Sequence, residues 1–289
     1  MRFATVETNN RLELAVQVNE KLISLSSLGY TYHDMNELIE MITDEDIKQI
    51  ELCLSLNKGE ILEDYQWRAP IIYPRQDIIC LGQNYKDHAE ESVRYKKDAF
   101  SENREAIYFS KRVNQAVGHN EYIESNPLFV HDLDYECELA VIIRKDCRCT
   151  EKKDVKNHIF GYTIINDFTA RTIQTSHKQW YFGKSLDTFT AMGPVIVTAD
   201  EFQWPLSLNL TTHVNGEMRQ NGNTKNMIYD IEHIICELSL GMTLKTCSII
   251  ATGTPAGVGM GMEPASFLSP NDIVVCSIEK IGELCNVIK

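Results

Sequence analysis

Apolar positions along this chain recur with two periods, and the change between them suggests how it is divided. From residue 1 to about 27 the alternation predicts short strands joined by turns at Asn9-Asn10 and Asn19-Glu20. From Met35 to about Leu56 the spacing becomes helical, with Leu38, Ile39 and Ile42, then Ile47, Ile50 and Leu54, on one face. Asp44 is the expected N-cap between two helices there. Asn57-Lys58-Gly59 closes this stretch, and Ala69-Pro70 to Pro74 makes a stiff connector. The pattern predicts a small N-terminal α/β domain, residues 1–72, and a larger domain, residues 73–289.

From Asp77 onward strands dominate: Ile78–Leu81, Ile107–Phe109, Glu136–Ile143, Gly161–Asn166, Pro194–Thr198, Leu206–Val214, Ile249–Thr252 and Ile273–Ile278. Asn215-Gly216 is a strong two-residue hairpin signal. Helices are expected only near His88, over Thr169–His177 and over Met227–Leu238. The expected class is α+β, predominantly β, with the sheet folded on itself as a barrel or roll.

Two of these strands carry the chemistry. Glu136 and Glu138 are two apart in Asp134-Tyr135-Glu136-Cys137-Glu138-Leu139, so they project to one face beside an apolar run. Like charges held together in a core repel and lose hydration unless a cation lies between them. Asp167, ending Gly161-Tyr162-Thr163-Ile164-Ile165-Asn166-Asp167, is placed to add a third oxygen ligand. Carboxylates without a nearby Cys or His pair suit Mg²⁺, Mn²⁺ or Ca²⁺ better than zinc. Taken alone, Glu-x-Glu reads as a solvent-facing edge strand; its neighbours in the chain change that reading.

Composition narrows the partners. A formal net charge of −13 argues against nucleic acid or an anionic membrane. It leaves room for an anionic substrate, because a bound divalent ion dominates its own site. No apolar stretch is long enough to span a bilayer, and the first residues lack a secretory h-region. Nine cysteines, an odd number, fit reduced thiols and a cytoplasmic location better than a disulfide framework. Cys147-Arg148-Cys149 reads as a surface turn, since no second pair completes a zinc site.

Four further segments bear on the site. A helix starting near Tyr85 would put His88 and Glu91 on one face, the arrangement of a general base steadied by a carboxylate. After Asp167, Arg171 and Gln174 are again three apart, and Gly183-Lys184 supplies a lysine in a Gly-led turn. Together these make a candidate oxyanion site. Thr252-Gly253-Thr254-Pro255-Ala256-Gly257 could bring backbone N–H groups to a carboxylate, but it lacks the Gly-Lys-Ser/Thr of a phosphate loop. The segment from Asn84 to Arg104, rich in charge and poor in apolar anchors, is expected to be mobile without ligand.

In this order the segments resemble the fumarylacetoacetate hydrolase family. The matching pieces are Gly82-Gln83-Asn84-Tyr85-Lys86-Asp87-His88, the Asp134 and Gly161 strands, Gly183-Lys184-Ser185-Leu186-Asp187, Asn215-Gly216-Glu217 and Thr252–Gly259. The resemblance implies a mixed β-roll core, a divalent ion and a homodimer or dimer of dimers. Carried over by position, Glu136, Glu138 and Asp167 match the metal ligands, and His88 with Glu91 matches a water-activating dyad on a lid. Lys184, Gln174 and Arg171 match oxyanion and substrate-carboxylate partners, with Thr254 and the adjoining Gly253 on the substrate side. The fourth acidic ligand of the large fumarylacetoacetate enzymes has no match near Gly82–Asn84, which points to the smaller acylpyruvase-like branch.

The expected activity is therefore metal-dependent hydrolysis of a C–C bond in a 2,4-dioxo acid. The alternative is decarboxylation of oxaloacetate or tautomerisation of a 2-oxo acid at the same site. A non-catalytic metal-binding scaffold would have lost chemical residues, whereas every matched position keeps a competent side chain. The three tryptophans, Trp67, Trp180 and Trp204, are scattered, which argues against a carbohydrate-binding face.

Overall fold

The two strands that carry the carboxylates, Cys137–Ile143 and Ile159–Asp167, are buried along their whole length. Strands covered on both faces read as unbroken apolar runs, which is how they look in the sequence. The computed structural model describes residues 1–96 and 105–289, with the helical backbone alone for 93–96. Its largest sheet has ten strands, and Cys137–Ile143 lies in it between Ile159–Asp167 and Ile249–Ala251. Ile249–Ala251 then pairs in parallel with Ile78–Gly82, so the sheet is mixed. Leu139, Val141 and Ile143 pack with Leu210, Val274 and Leu284 of a second, five-stranded sheet. The intervening Ala140 and Ile142 pack on the other face with Phe3, Leu38 and Ile39. The result is a mixed α/β fold with large sheets, in keeping with the strand-dominated pattern.

The first strand, Arg2–Thr8, pairs antiparallel with Thr190–Thr198, so the N-terminal strands extend the large sheet. The terminal ammonium donates to Thr198 Oγ1 at 2.5 Å and Glu201 Oε1 at 2.7 Å. Helices Met35–Met41 and Asp44–Ser55 follow. The cap of the second is Thr43, one residue before the expected Asp44. Its hydroxyl accepts from Asp46 N–H at 3.1 Å while the Asp46 carboxylate accepts from Thr43 N–H at 2.9 Å. A hydroxyl with an acid three residues on satisfies two free N–H groups at once, which Asp44 at the first helical position could not do.

The hairpin forms as expected. Strands Asn209–Val214 and Glu217–Asn223 are joined by Asn215 and Gly216 at φ 51° and 82°, the left-handed pair such a turn requires. The last strand, Gly282–Ile288, is not among those predicted, because the polar Asn286 occupies one of its buried positions. The helix at His88 runs Lys86–Lys96; the part of the expected mobile segment beyond it, residues 97–104, lies outside the described residues. Among the described residues no helix is long and apolar enough to cross a membrane.

Candidate metal centre and active site

Antiparallel register brings the carboxylates together. Ile165 pairs with Glu138 and Asn166 with Cys137, so Asp167 falls beside Glu136 and its N–H donates to Glu136 O at 2.9 Å. Oxygens of Glu136, Glu138 and Asp167 lie within 4.8 Å of one another, and all three residues are buried. Lys184 Nζ donates to Glu136 Oε2 at 2.8 Å, Asp167 Oδ2 at 2.6 Å and Thr169 Oγ1 at 3.0 Å. Arg171 donates from Nη1 to Glu136 Oε1 at 2.6 Å and from Nε to Asp134 Oδ2 at 2.8 Å. Lys111 Nζ holds the other oxygen of Asp167 at 2.5 Å and Phe168 O at 3.1 Å.

Glu138 is the exception. It accepts from Gly253 N–H at 2.8 Å, and among the described residues no cation pairs with it. Four buried carboxylates, counting Asp134, thus face three buried cations. Against the desolvation of burial, Lys184 and Arg171 hold Glu136 well below the usual carboxylate range. Burial, then the charges of Asp167 and Glu136, pushes Glu138 well above it. An all-oxygen donor set with one uncompensated buried charge fits a hard divalent cation, which would supply the missing positive charge.

His88 Nδ1 and Glu91 Oε2 are 3.1 Å apart on one face of the Lys86–Lys96 helix, both buried. Glu91 also accepts from Gly257 N–H, at 3.1 and 3.3 Å to its two oxygens. Gly261 comes so close that a Cβ there would stand 1.8 Å from Glu91 Oε1. His88 lines the same narrow cleft as Glu136, Glu138, Arg171, Gln174, Lys184 and Thr254. Arg171 Nη2 is buried and has no hydrogen-bond partner among the described residues, although the other guanidinium nitrogens are paired. A buried donor left unpaired is costly, so it marks a place where an anionic ligand would be gained.

The remaining expected residues sit at the site with their groups already engaged. Gly253 N–H is spent on Glu138. Thr254 donates its hydroxyl proton to Cys137 O at 2.8 Å and accepts from Gln220 Nε2 at 2.8 Å. Lys184 ends a short helix, Tyr181–Lys184, rather than a turn. Gln174 Oε1 accepts a long bond, 3.4 Å, from Arg171 Nη1.

Three contributors escaped the sequence reading. Asp134 orients Arg171 and accepts from Gly259 and Met260 N–H at 2.7 and 3.0 Å. Its place two residues before Glu136 continues the same alternation and could have revealed it. Lys111 looks like any lysine closing an apolar strand. Gln220, fully buried, accepts from Cys137 N–H at 3.1 Å and Thr212 at 2.7 Å while holding Thr254 and Pro255 O. It ties Cys137, between Glu136 and Glu138, to the turn whose Gly253 N–H donates to Glu138, and nothing local announces it.

Comparison with known proteins identifies the family. Residues 77–289 match the family described as fumarylacetoacetate (FAA) hydrolase, C-terminal. The chain is 39% identical to oxaloacetate tautomerase YisK of Bacillus subtilis, with 100% of each covered. It superposes on the fumarylacetoacetate hydrolase EaFAH from psychrophilic Exiguobacterium antarcticum with a TM-score of 0.86 and 38% identity, covering 100% of this chain and 99% of the other. Maleylpyruvate hydrolase from Sphingobium sp. SYK-6, solved with manganese(II) and pyruvate, gives a TM-score of 0.80 at 26% identity over 100% and 98% of the two chains. All the candidate site residues lie inside the matched region. The chain belongs to the fumarylacetoacetate hydrolase family and is an enzyme of that superfamily.

Proposed function

We propose that this enzyme uses Mg²⁺ or Mn²⁺ on Glu136, Glu138 and Asp167 to interconvert the keto and enol forms of a small 2-oxo dicarboxylic acid, oxaloacetate foremost. The observation that carries this reading is one narrow cleft lined by residues from three features. They are a carboxylate cluster short of positive charge, a buried unpaired donor on Arg171, and the His88–Glu91 pair. The full-length likeness to an oxaloacetate tautomerase supports tautomerisation ahead of the C–C hydrolysis first expected from the sequence. The manganese and pyruvate bound by the more distant maleylpyruvate hydrolase support the choice of ion and the 2-oxo-acid end of the substrate.

When bound, the cation supplies a template and Lewis acid for the C1 carboxylate and C2 oxygen. Arg171 takes a substrate carboxylate oxygen on its unpaired Nη2. His88, held in place by its contact with Glu91, removes a proton from C3. Charge then develops on the C2 oxygen, where Gln174 and Lys184 face the cleft and stabilise it. Lys184 has all three protons on Glu136, Asp167 and Thr169, so this role requires it to give one up as substrate binds. In the net reaction one proton passes from C3 to the C2 oxygen and the carbon skeleton stays intact.

A second reading is hydrolysis of an acylpyruvate. It is favoured by the same His88–Glu91 contact, which suits a base that activates water. The two separate by product. With enol oxaloacetate and acylpyruvates as substrates, the expected result is fast, metal-dependent loss of enol absorbance from oxaloacetate without matching release of pyruvate. Faster formation of pyruvate and a carboxylic acid from an acylpyruvate would establish the hydrolase instead.

A further inference from the structure

We infer that Trp180 is the specificity-determining wall of this cleft and restricts it to 2-oxo acids of about four carbons. This rests on reading the cleft as a 2-oxo-acid site and names which members of that class it takes. The polar groups of the cleft gather at the carboxylate cluster, while Leu81, Phe109, Trp180 and Met260 supply apolar lining. A continuous stack joins the two. Lys184, bonded to Asp167 at 2.6 Å, places its Nζ 5.3 Å from the Phe109 ring centroid. The Phe109 ring meets the Trp180 ring edge to face, with centroids 5.2 Å apart and planes at 75°.

Beyond that stack the indole lies directly on the backbone of Gly82. A Cβ at residue 82 would stand 1.9 Å from Cζ3 and 2.5 Å from Cη2 of Trp180. Contact of this kind leaves no gap between the ring and the strand that leads into the His88 helix. Trp180 is therefore held from two sides, by Phe109 and by Gly82, and cannot retreat from a longer ligand without losing both contacts. A 2-oxo acid anchored at the carboxylate cluster would run its far end toward this apolar wall. A short dicarboxylate ends before reaching it and keeps its second carboxylate with Arg171. Each added methylene is pressed against the indole.

Binding measurements test the wall without relying on turnover. Mn²⁺-loaded wild type, Trp180→Ala and Trp180→Leu are titrated calorimetrically with linear 2-oxo monocarboxylates from pyruvate to 2-oxooctanoate. In wild type, affinity should stop rising once the chain passes about four carbons. In Trp180→Ala each further buried methylene should tighten binding about fourfold, so 2-oxohexanoate should bind at least about tenfold tighter than to wild type. Trp180→Leu, which keeps an apolar side chain, should fall between them. Gly82→Ala would put a methyl 1.9 Å from Cζ3, so it displaces the indole without deleting it and should alter the chain-length profile, and the test survives if Trp180→Ala does not fold. An unchanged chain-length profile in variants that bind Mn²⁺ normally would overturn the wall alone. Failure of pyruvate to bind Mn²⁺-loaded wild type would overturn the proposed function and the wall with it.

Discussion

Replacing Glu138 by Gln should change stability in opposite directions with and without metal. The amide keeps an acceptor for Gly253 N–H and nearly the same volume, so the main change is loss of a charge. Burial and then the neighbouring Asp167 and Glu136 raise the carboxyl's pKa in the folded protein. A raised carboxyl pKa means the folded state holds a proton that the unfolded chain releases. Metal-free wild type is therefore spared this penalty below the unfolded carboxylate pKa of about 4.3. It loses about 1.4 kcal/mol per pH unit above that value until the folded pKa is reached. For 289 residues the unfolding entropy is about 0.6 kcal/mol per degree, so the loss corresponds to about 2 °C per pH unit. In EDTA, Glu138→Gln should match wild type at acid pH and exceed its Tm by several degrees at neutral pH. Mn²⁺ at about a hundred times its Kd should then add about 2.7 kcal/mol to wild type, or about 4 to 5 °C, and little to the variant. Scanning calorimetry between about pH 4 and about pH 8 reads both effects. A variant below wild type throughout in EDTA, or one with the wild-type Mn²⁺ shift, would refute Glu138 as the uncompensated ligand.

Three further changes separate the parts of the site. His88→Ala should slow the reaction by about 10² to 10⁴-fold while leaving Mn²⁺ affinity unchanged, as stopped-flow absorbance and calorimetric titration would show. Lys111→Met removes one of the two lysines holding buried Asp167, and breaking such a pair costs about 3 to 5 kcal/mol. Its Tm should fall by about 5 to 8 °C, less when Mn²⁺ is present to neutralise Asp167. Gly261→Ala would drive a methyl into Glu91, so catalysis should fall with Mn²⁺ affinity intact; wild-type turnover would show that the dyad tolerates displacement.

How much of this was legible depended on whether the signal was local. Glu136 and Glu138 announced themselves because two charges on one face of an apolar strand conflict with burial, and Asp167 because it ends the neighbouring run. His88 and Glu91 follow from helical spacing, and the structure brings them to 3.1 Å. The N-cap is Thr43 and not the expected Asp44; both are capping types, and only the reciprocal bonds with Asp46 distinguish them. Pairing of Arg2–Thr8 with Thr190–Thr198 spans most of the chain, and no pattern within either strand selects that partner. The same holds for Lys111 and Gln220. Each acts through a contact dozens of residues away, 56 for Lys111 with Asp167 and 83 for Gln220 with Cys137. For Gly253 and Thr254 the sequence located the turn, but the direction of their hydrogen bonds needed coordinates.

The most direct measurement is the rate at which enol oxaloacetate ketonises in a stopped-flow mixer as Mn²⁺ is titrated into EDTA-treated enzyme. The expected rate rises to saturation at one ion per chain, is lost on adding chelator, and is absent in Glu138→Gln at every Mn²⁺ concentration that saturates wild type. A rate that is indifferent to chelator, or equal in Glu138→Gln, would contradict a metal held by Glu136, Glu138 and Asp167 as the centre of the chemistry.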